Sequence, residues 1–280
     1  MNFPIPFAKM SGAGNDFILI DNRSGLVREE EMPSLATLVC RRRLSVGADG
    51  IVFIQEDGEL DFAWRFFNAD GSVAEMCGNA ARCAARLAFL DGIAGKELVF
   101  RTLAGPIHAA VEGAMVKVQL TKPHGLEPSL SLQMENGREF QAGFVNTGVP
   151  HTIIPVPGED LAGMDVIQTG RQIRFHPRFS PAGTNADFIS VRDSHSLDIR
   201  TYERGVEDET LACATGAAAA ALMTTVWKLT SPPVTVVTRS GAPLLIHVDP
   251  SDPGRGDIFM EGIASLVYRG QLTDETIGGG

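Results

Sequence analysis

The stretches GNAARCAARLAFL (78–90) and ATGAAAAALMTTVW (214–227) limit the folds open to this chain more than any other part of it. Both are alanine-rich and apolar nearly all round, and a helix that is apolar on every face is a buried one. Small side chains let surrounding strands approach closely, so each stretch predicts a helix wrapped by sheet. The two stretches are also related. Cys77-Gly78-Asn79 aligns with Cys213-Ala214-Thr215 at an offset of 136 residues (213 − 77), and TLAG (102–105) aligns with TRSG (238–241) at the same offset. Two matches at one offset predict an internal duplication. NDFI (15–18) and NADFI (185–189) are similar at a different offset, so the halves differ by insertions.

Around these helices, strand-like runs bounded by turn residues dominate. They are FILID (17–21), GIVFIQ (50–55), FAWRFF (62–67), LVFRT (98–102) and MVKVQL (115–120), then FVNTG (144–148), HTIIPV (151–156), DFISV (187–191), LDIRTY (197–202), VTVVTR (234–239), LLIHV (244–248) and DIFME (257–261). EEEMPSLATLVCRRRL (29–44) has apolar residues at helical spacing, acids at its start and bases at its end, which suits a helix dipole. The pattern predicts two similar α/β domains, joined near residues 120–130, where KPHGLEPS (122–129) reads as a linker.

The formal net charge of −10 disfavours nucleic acid and anionic membrane surfaces, which are bound through clustered Lys and Arg. The one basic run, Arg41-Arg42-Arg43, reads as a solvated helix end. The opening MNFPIPFAKM has no basic segment followed by a long apolar one, so no signal peptide is read, and charges interrupt every candidate membrane span. Four cysteines, scattered, do not make a disulfide framework, and a reducing cytoplasm is the expected compartment.

Cys77 and Cys83 are six residues apart and point roughly 120° apart on a helix, so one ion cannot take both. With no Cys/His cluster elsewhere, no metal is expected. GAGNDF (12–17) begins like a dinucleotide fingerprint, but Phe17 stands where the third glycine belongs and a strand follows. Cys77 and Cys213, however, each sit just before a predicted helix. Free N–H groups and the dipole favour an anion there, so a thiol at that place is expected to have a lowered pKa, and the same donors can hold a carboxylate. Against this stands the ordinary use of cysteine as a small buried residue. The repetition of the same setting at the repeat offset favours chemistry. Two equivalent thiols across a cleft suit the inversion of a stereocentre: one thiolate removes a proton from carbon and the opposite thiol returns one, without an electron-sink cofactor. A cysteine hydrolase pairing Cys77 with His151 is a different reading, which leaves Cys213 idle. A binding protein without catalysis is another.

SGAGNDFILID (11–21), FNADGSVAEMCGNAARC (67–83), GTNADFISV (183–191) and ERGVEDETLACATGAAAAA (203–221) together resemble diaminopimelate epimerase, in order and over nearly the whole chain. The resemblance implies two pseudo-symmetric α/β (α+β) domains, each a curled, mostly antiparallel sheet around a central helix, with the active site in the cleft between them. The division it implies is residues 1–120 with 266–280, and 121–265. The implied activity is cofactor-independent interconversion of LL- and meso-2,6-diaminoheptanedioate in lysine and peptidoglycan precursor biosynthesis, by a cytoplasmic homodimer that binds neither nucleic acid nor membrane. Cys77 and Cys213 would be the acid/base pair. Gly78, Asn79, Ala214 and Thr215 would hold the reacting carboxylate. Asn15, Asn68 and Asn185 would bind substrate, Arg204 its distal carboxylate and Glu203 an ammonium, while His151 and Glu203 would tune the thiols. Cys40 and Cys83 are read as structural. Ala214 and Ala80 stand where the family often has glycine, and Val149 where many members have asparagine, which removes one distal hydrogen bond. A related racemase acting on proline or hydroxyproline would keep the chemistry and change the substrate.

Overall fold

The computed structural model of the chain describes residues 1–134 and 137–278, so the last two residues of the expected first domain lie outside the described residues. The chain divides into two units, Met1–Val118 with Gly262–Gly280, and Gln119–Glu261. The first begins with β1 (Ile5–Gly12), β2 (Asn15–Asp21), α1 (Met32–Val39), β3 (Gly50–Gln55), β4 (Phe62–Asn68) and α2 (Gly78–Leu90). It continues with β5 (Glu97–Thr102), β6 (Gly105–Glu112) and β7 (Met115–Gln119). The second begins with β8 (His124–Gln133), β9 (Glu139–Asn146), β10 (Pro150–Pro155), α3 (Gly158–Gly163) and α4 (Val166–Arg174). It goes on through β11 (Asn185–Asp193), β12 (Ser196–Glu203), β13 (Asp208–Thr210), α5 (Ala214–Val226), β14 (Val234–Val237), β15 (Pro243–Val248) and β16 (Ile258–Ile263). A last strand, β17 (Ser265–Leu272), belongs to the first unit.

Strand order makes the duplication explicit. The first unit runs β17-β1-β2-β3-β4-β5-β6-β7. The second runs β8-β9-β10-β11-β12-β14-β15-β16, with short β13 paired onto the end of β12. Two junctions in each unit are parallel, β2–β3 and β4–β5 in one, β10–β11 and β12–β14 in the other. The other junctions are antiparallel. Parallel neighbours need a crossover, and each crossover here contains helix. α1 spans the first junction of unit one and α3–α4 that of unit two, while α2 and α5 span the second. The final strand β17 takes the place in unit one that β8 takes in unit two, which is why the chain's end returns to the first unit.

The crossovers α2 and α5 are each 13 residues long and begin and end at the 136-residue offset. Strands β1, β2, β3, β6 and β17 pack on α2, and β9, β10, β11, β12, β14 and β15 on α5. Ala80, Ala81, Ala84, Ala85 and Ala88 are fully buried, as are Ala217 to Ala221. Alanine suits this position twice over, as the strongest helix former and as a side chain too small to hold the strands off. Elsewhere, Met32, Leu35, Ala36 and Val39 of α1 pack with Ile18, Ile20, Ile51 and Phe53. Leu161, Val166 and Ile173 of α3–α4 pack with Ala186, Phe188 and Tyr202. No helix among the described residues is long and apolar enough to cross a membrane.

Three expectations are corrected. KPHGLEPS is not a linker, since His124 onward is β8. That strand is mostly exposed and, among the described residues, pairs within its unit only with β9, an edge position where Pro128 is tolerated. The helix expected over 29–44 is a 3₁₀ turn at Glu29–Glu31 followed by α1, which stops at Val39. Arg41–Arg43 therefore lie beyond the helix, and Arg42 is not simply solvated: its guanidinium pairs with Asp49 at 2.8 Å and with Asp16.

Candidate active site

Each central helix opens on a cysteine in extended conformation. Cys77 caps α2 with φ −145° and ψ 116°, and Cys213 caps α5 with φ −122° and ψ 112°. Extended backbone at the cap turns the chain abruptly into the helix, leaving the first-turn N–H groups of Gly78 and Asn79, and of Ala214 and Thr215, without helical partners. Cys77 is half-buried and Cys213 buried.

In the first unit Asn79, two residues after Cys77, donates from Nδ2 to Asn15 Oδ1 at 2.7 Å. Asn15 donates in turn to Asp49 Oδ2 at 3.0 Å. Asn79 Oδ1 accepts from Arg82 Nη2 at 2.9 Å. Arg82 is fully buried beneath the helix start, and burial holds its pKa down at about 10. Close approach of β1 to this turn requires Gly12, where a Cβ would lie 3.1 Å from Asn79 O and 3.3 Å from Cys83 Sγ. Asn68 stands apart from this network. Its amide is exposed at the end of β4 and donates to Ser72 Oγ at 2.9 Å.

In the second unit Thr215, two residues after Cys213, lies with its Oγ1 3.4 Å from Cys213 Sγ and 2.9 Å from His151 Nε2. His151 Nδ1 is 2.6 Å from Asp187 Oδ2, and Thr201 donates to Asp187 Oδ1 at 2.7 Å. Thr147 donates to the Thr215 carbonyl at 2.9 Å, which fixes that turn. Strand register explains the grouping. His151 is on β10, Asp187 on β11 two residues beyond the partner of His151, and Thr201 on β12 directly opposite Asp187. Their side chains meet α5 at Gly216, where a Cβ would lie 2.6 Å from Asp187 Oδ1 and 3.3 Å from His151 Cε1.

The expected lowering of the thiol pKa is overturned at Cys213. Burial pushes this thiol well above its usual range, and the carboxylates of Glu203 and Asp187 push it further; the Thr215 hydroxyl and the Gly216 N–H pull the other way and lose. The helix-end argument is local, whereas burial comes from the strands packed around it. Glu203 is itself raised by burial, more than the Thr210 hydroxyl and His151 lower it. Cys40 and Cys83 are each pushed up to about 12, again by burial. Asn185 and Arg204 are brought together: the Asn185 amide donates to Pro150 O at 2.9 Å and accepts from the Arg204 backbone N–H at 2.7 Å. The Arg204 guanidinium donates to Ala182 O at 3.2 Å.

Sequence reasoning missed Asp187, Thr201 and Gly216 in the second unit and Asp49 and Arg82 in the first. Asp187 had a signal, because an acid in the middle of the apolar run NADFISV has to find a buried partner. Gly216 had one as well, a lone glycine in a run of alanines.

A family model described as diaminopimelate epimerase matches residues 7–125 and 143–267. The diaminopimelate epimerase of Hydrogenobaculum sp. (strain Y04AAS1) is 43% identical over 277 residues, 95% of this chain and 98% of that protein. That of Aquifex aeolicus (strain VF5) is 44% identical over 282 residues, 97% and 99% of the two chains. Among solved structures, a PhzF-family phenazine biosynthesis protein of Bacillus anthracis superposes with a TM-score of 0.73 at 17% identity, over 97% of this chain and 100% of that one. A hydroxyproline epimerase from Agrobacterium vitis gives 0.68 at 12% identity, over 99% and 95%. These structures share the fold.

Proposed function

Because the chain belongs to the diaminopimelate epimerase family, we propose that it interconverts LL- and meso-2,6-diaminoheptanedioate with Cys77 and Cys213 as acid and base. The observation that carries this reading is the repeated helix start, a cysteine cap followed by free N–H groups at the same offset in both units. One thiolate removes the α-proton, forming S–H as C–H breaks, and the other thiol delivers its proton to the opposite face. The reaction requires both thiols to reach one α-carbon. The N–H groups of Gly78, Asn79, Ala214 and Thr215 hold the reacting carboxylate, and their fixed dipoles stabilise charge as it develops there. Interconversion runs in both directions, so each thiol serves as base toward one isomer and as acid toward the other.

In D₂O, thiols exchange with solvent before substrate binds, so the donating thiol carries deuterium. First-turnover product is expected to hold solvent deuterium at the inverted α-carbon, with little in unreacted substrate, as read by NMR. Product with only protium at that carbon would rule out the two-thiol reaction.

Arg204 is assigned to the distal carboxylate, joined there by Asn15, Asn68 and Asn185 as polar contacts and by Glu203 for an ammonium. Val149 offers no hydrogen bond, so Arg204 carries much of the selection at that end. Arg204→Ala is expected to lower kcat/KM by about 10- to 100-fold, the value of a charge-assisted hydrogen bond. Lysine and proline, lacking the second carboxylate, are expected to be turned over poorly by the parent enzyme. Equal turnover of lysine and diaminopimelate would remove Arg204 from this role.

A further inference from the structure

The two helix starts are built alike and wired differently. In each unit the side chain two residues after the cysteine reaches a residue on a neighbouring strand, and that residue reaches an acid at the next, parallel strand. In unit one the links are Asn79, Asn15 on β2, and Asp49 at the entrance of β3. In unit two they are Thr215, His151 on β10, and Asp187 on β11. The amides of unit one do not change protonation near neutral pH. A hydroxyl, an imidazole and a carboxylate can pass or hold a proton. In unit two the hydrogen-bond chain also reaches the cysteine, through the 3.4 Å contact of Cys213 Sγ with Thr215 Oγ1.

We propose that Cys213, Thr215 and His151 form a proton relay, with Asp187 positioning the imidazole and holding its charge. This rests on the reading of Cys213 as an acid–base thiol. A carboxylate only accepts, so Asp187 takes the Nδ1–H of His151, and Nε2 of the neutral ring is left to accept from the Thr215 hydroxyl. Thr215 has one hydroxyl proton and can give it either to His151 or to Cys213. With the thiol protonated, S–H points to Oγ1 and O–H to Nε2. When Cys213 ionises, its proton moves to Oγ1 as the hydroxyl proton moves to Nε2. The S–H and old O–H bonds break, a new O–H and an N–H form, and the products are a thiolate, an intact threonine and an imidazolium paired with Asp187. The heavy atoms stay in place. Fully buried His151 and Asp187 have no solvent to compete for this pair.

Among the described residues, Glu203 at the end of β12 and Asp187 on β11 act on this thiol from the strands around α5, and His151 on β10 reaches it through Thr215. They make the test discriminating. Acting directly on Cys213, the Asp187 carboxylate opposes ionisation, so replacing it with a neutral group would make the thiol easier to ionise. Acting through His151, it favours ionisation, because it stabilises the imidazolium.

The experiment follows alkylation of Cys213 by iodoacetamide against pH, with peptide mapping to separate it from Cys77, in the parent and in Asp187→Asn. The relay predicts that at about pH 8 the rate at Cys213 falls about tenfold in Asp187→Asn. A rate that rises or is unmoved overturns it. Thr215→Val and Thr215→Ser provide a second arm that does not depend on Asp187→Asn folding. The relay predicts that Thr215→Val lowers kcat about 100-fold with KM little changed, and that Thr215→Ser restores most of it. A Thr215→Val enzyme that raises KM and keeps kcat would make the hydroxyl a substrate contact and overturn the relay. If Cys213→Ala still epimerises near the parent rate, the two-thiol reading fails and the relay with it. If Cys213→Ala is inactive while Thr215→Val and Asp187→Asn match the parent, the relay fails alone.

Discussion

Alanine in place of either Cys77 or Cys213 is expected to lower epimerisation about 1,000-fold, the usual value of a positioned acid or base. Inversion needs a group on each face of the carbon, so neither thiol can stand in for the other. Substrate affinity is expected to survive better than turnover. The carboxylate contacts are assigned to backbone N–H groups of the first helical turns, and alanine leaves these in place. Calorimetric titration of each variant with diaminopimelate should therefore give a dissociation constant within several-fold of the parent. Cys40→Ala is the control. That thiol is buried against α1, is pushed up to about 12 by burial, and lies among Met32, Leu35, Ala36 and Val39, so its loss should leave turnover intact. A Cys213→Ala enzyme that epimerises at near the parent rate would reduce α5 to a core helix that resembles α2 only in its alanines.

The sequence carried the central helices because their pattern needs no tertiary information: apolar on every face, preceded by cysteine and repeated at one offset. Most strands were legible from apolar runs bounded by turns. β1, β6, β8, β13 and β17 were not: β1 and β6 are broken by Pro6 and Lys9 and by Pro106 and His108, β8 is mostly and β17 half exposed, and β13 is three residues long. Nor was α4, whose sequence VIQTGRQIR places Gly170 mid-helix, where glycine argues against a helix. The structure gives the reason for that glycine, since a Cβ there would lie 2.3 Å from Tyr202 Cβ. The site divides in the same way. Cys213, Thr215 and His151 could be named from motifs, but Asp187 is linked to them only through strand register. The sign of the Cys213 shift was lost for a related reason. A helix end can be located in a sequence, whereas the burial that outweighs it is created by strands drawn from the whole unit.

Glycine to alanine inside a helix normally stabilises a protein by roughly 0.5–1 kcal/mol, because alanine leaves less backbone freedom to lose on folding. At Gly216 the sign is expected to reverse. The new Cβ would stand 2.6 Å from Asp187 Oδ1, and that oxygen cannot retreat freely: it accepts from Thr201, while Oδ2 is held by His151, all within the buried face of the sheet. Either the helix start lifts from the strands or the His151–Asp187 pair separates. The first loses packing around Ala217 to Ala221, and the second leaves a buried acid and imidazole with poorer partners. Gly216→Ala is therefore expected to lose about 2 kcal/mol of stability in urea denaturation, and Gly216→Val about 3 kcal/mol, the range of overpacked cores. Both should also lower kcat by about 100-fold or more, because the same overlap displaces the acid and imidazole beside Thr215 and Cys213. The repeat supplies the comparison. The residue 136 positions earlier is Ala80, a buried alanine of α2, and there the ordinary sign should hold, with Ala80→Gly costing about 1 kcal/mol. Equal or greater stability in Gly216→Ala would mean that the helix does not press on Asp187, and that the glycine serves some need other than the close approach of α5 to β10 and β11.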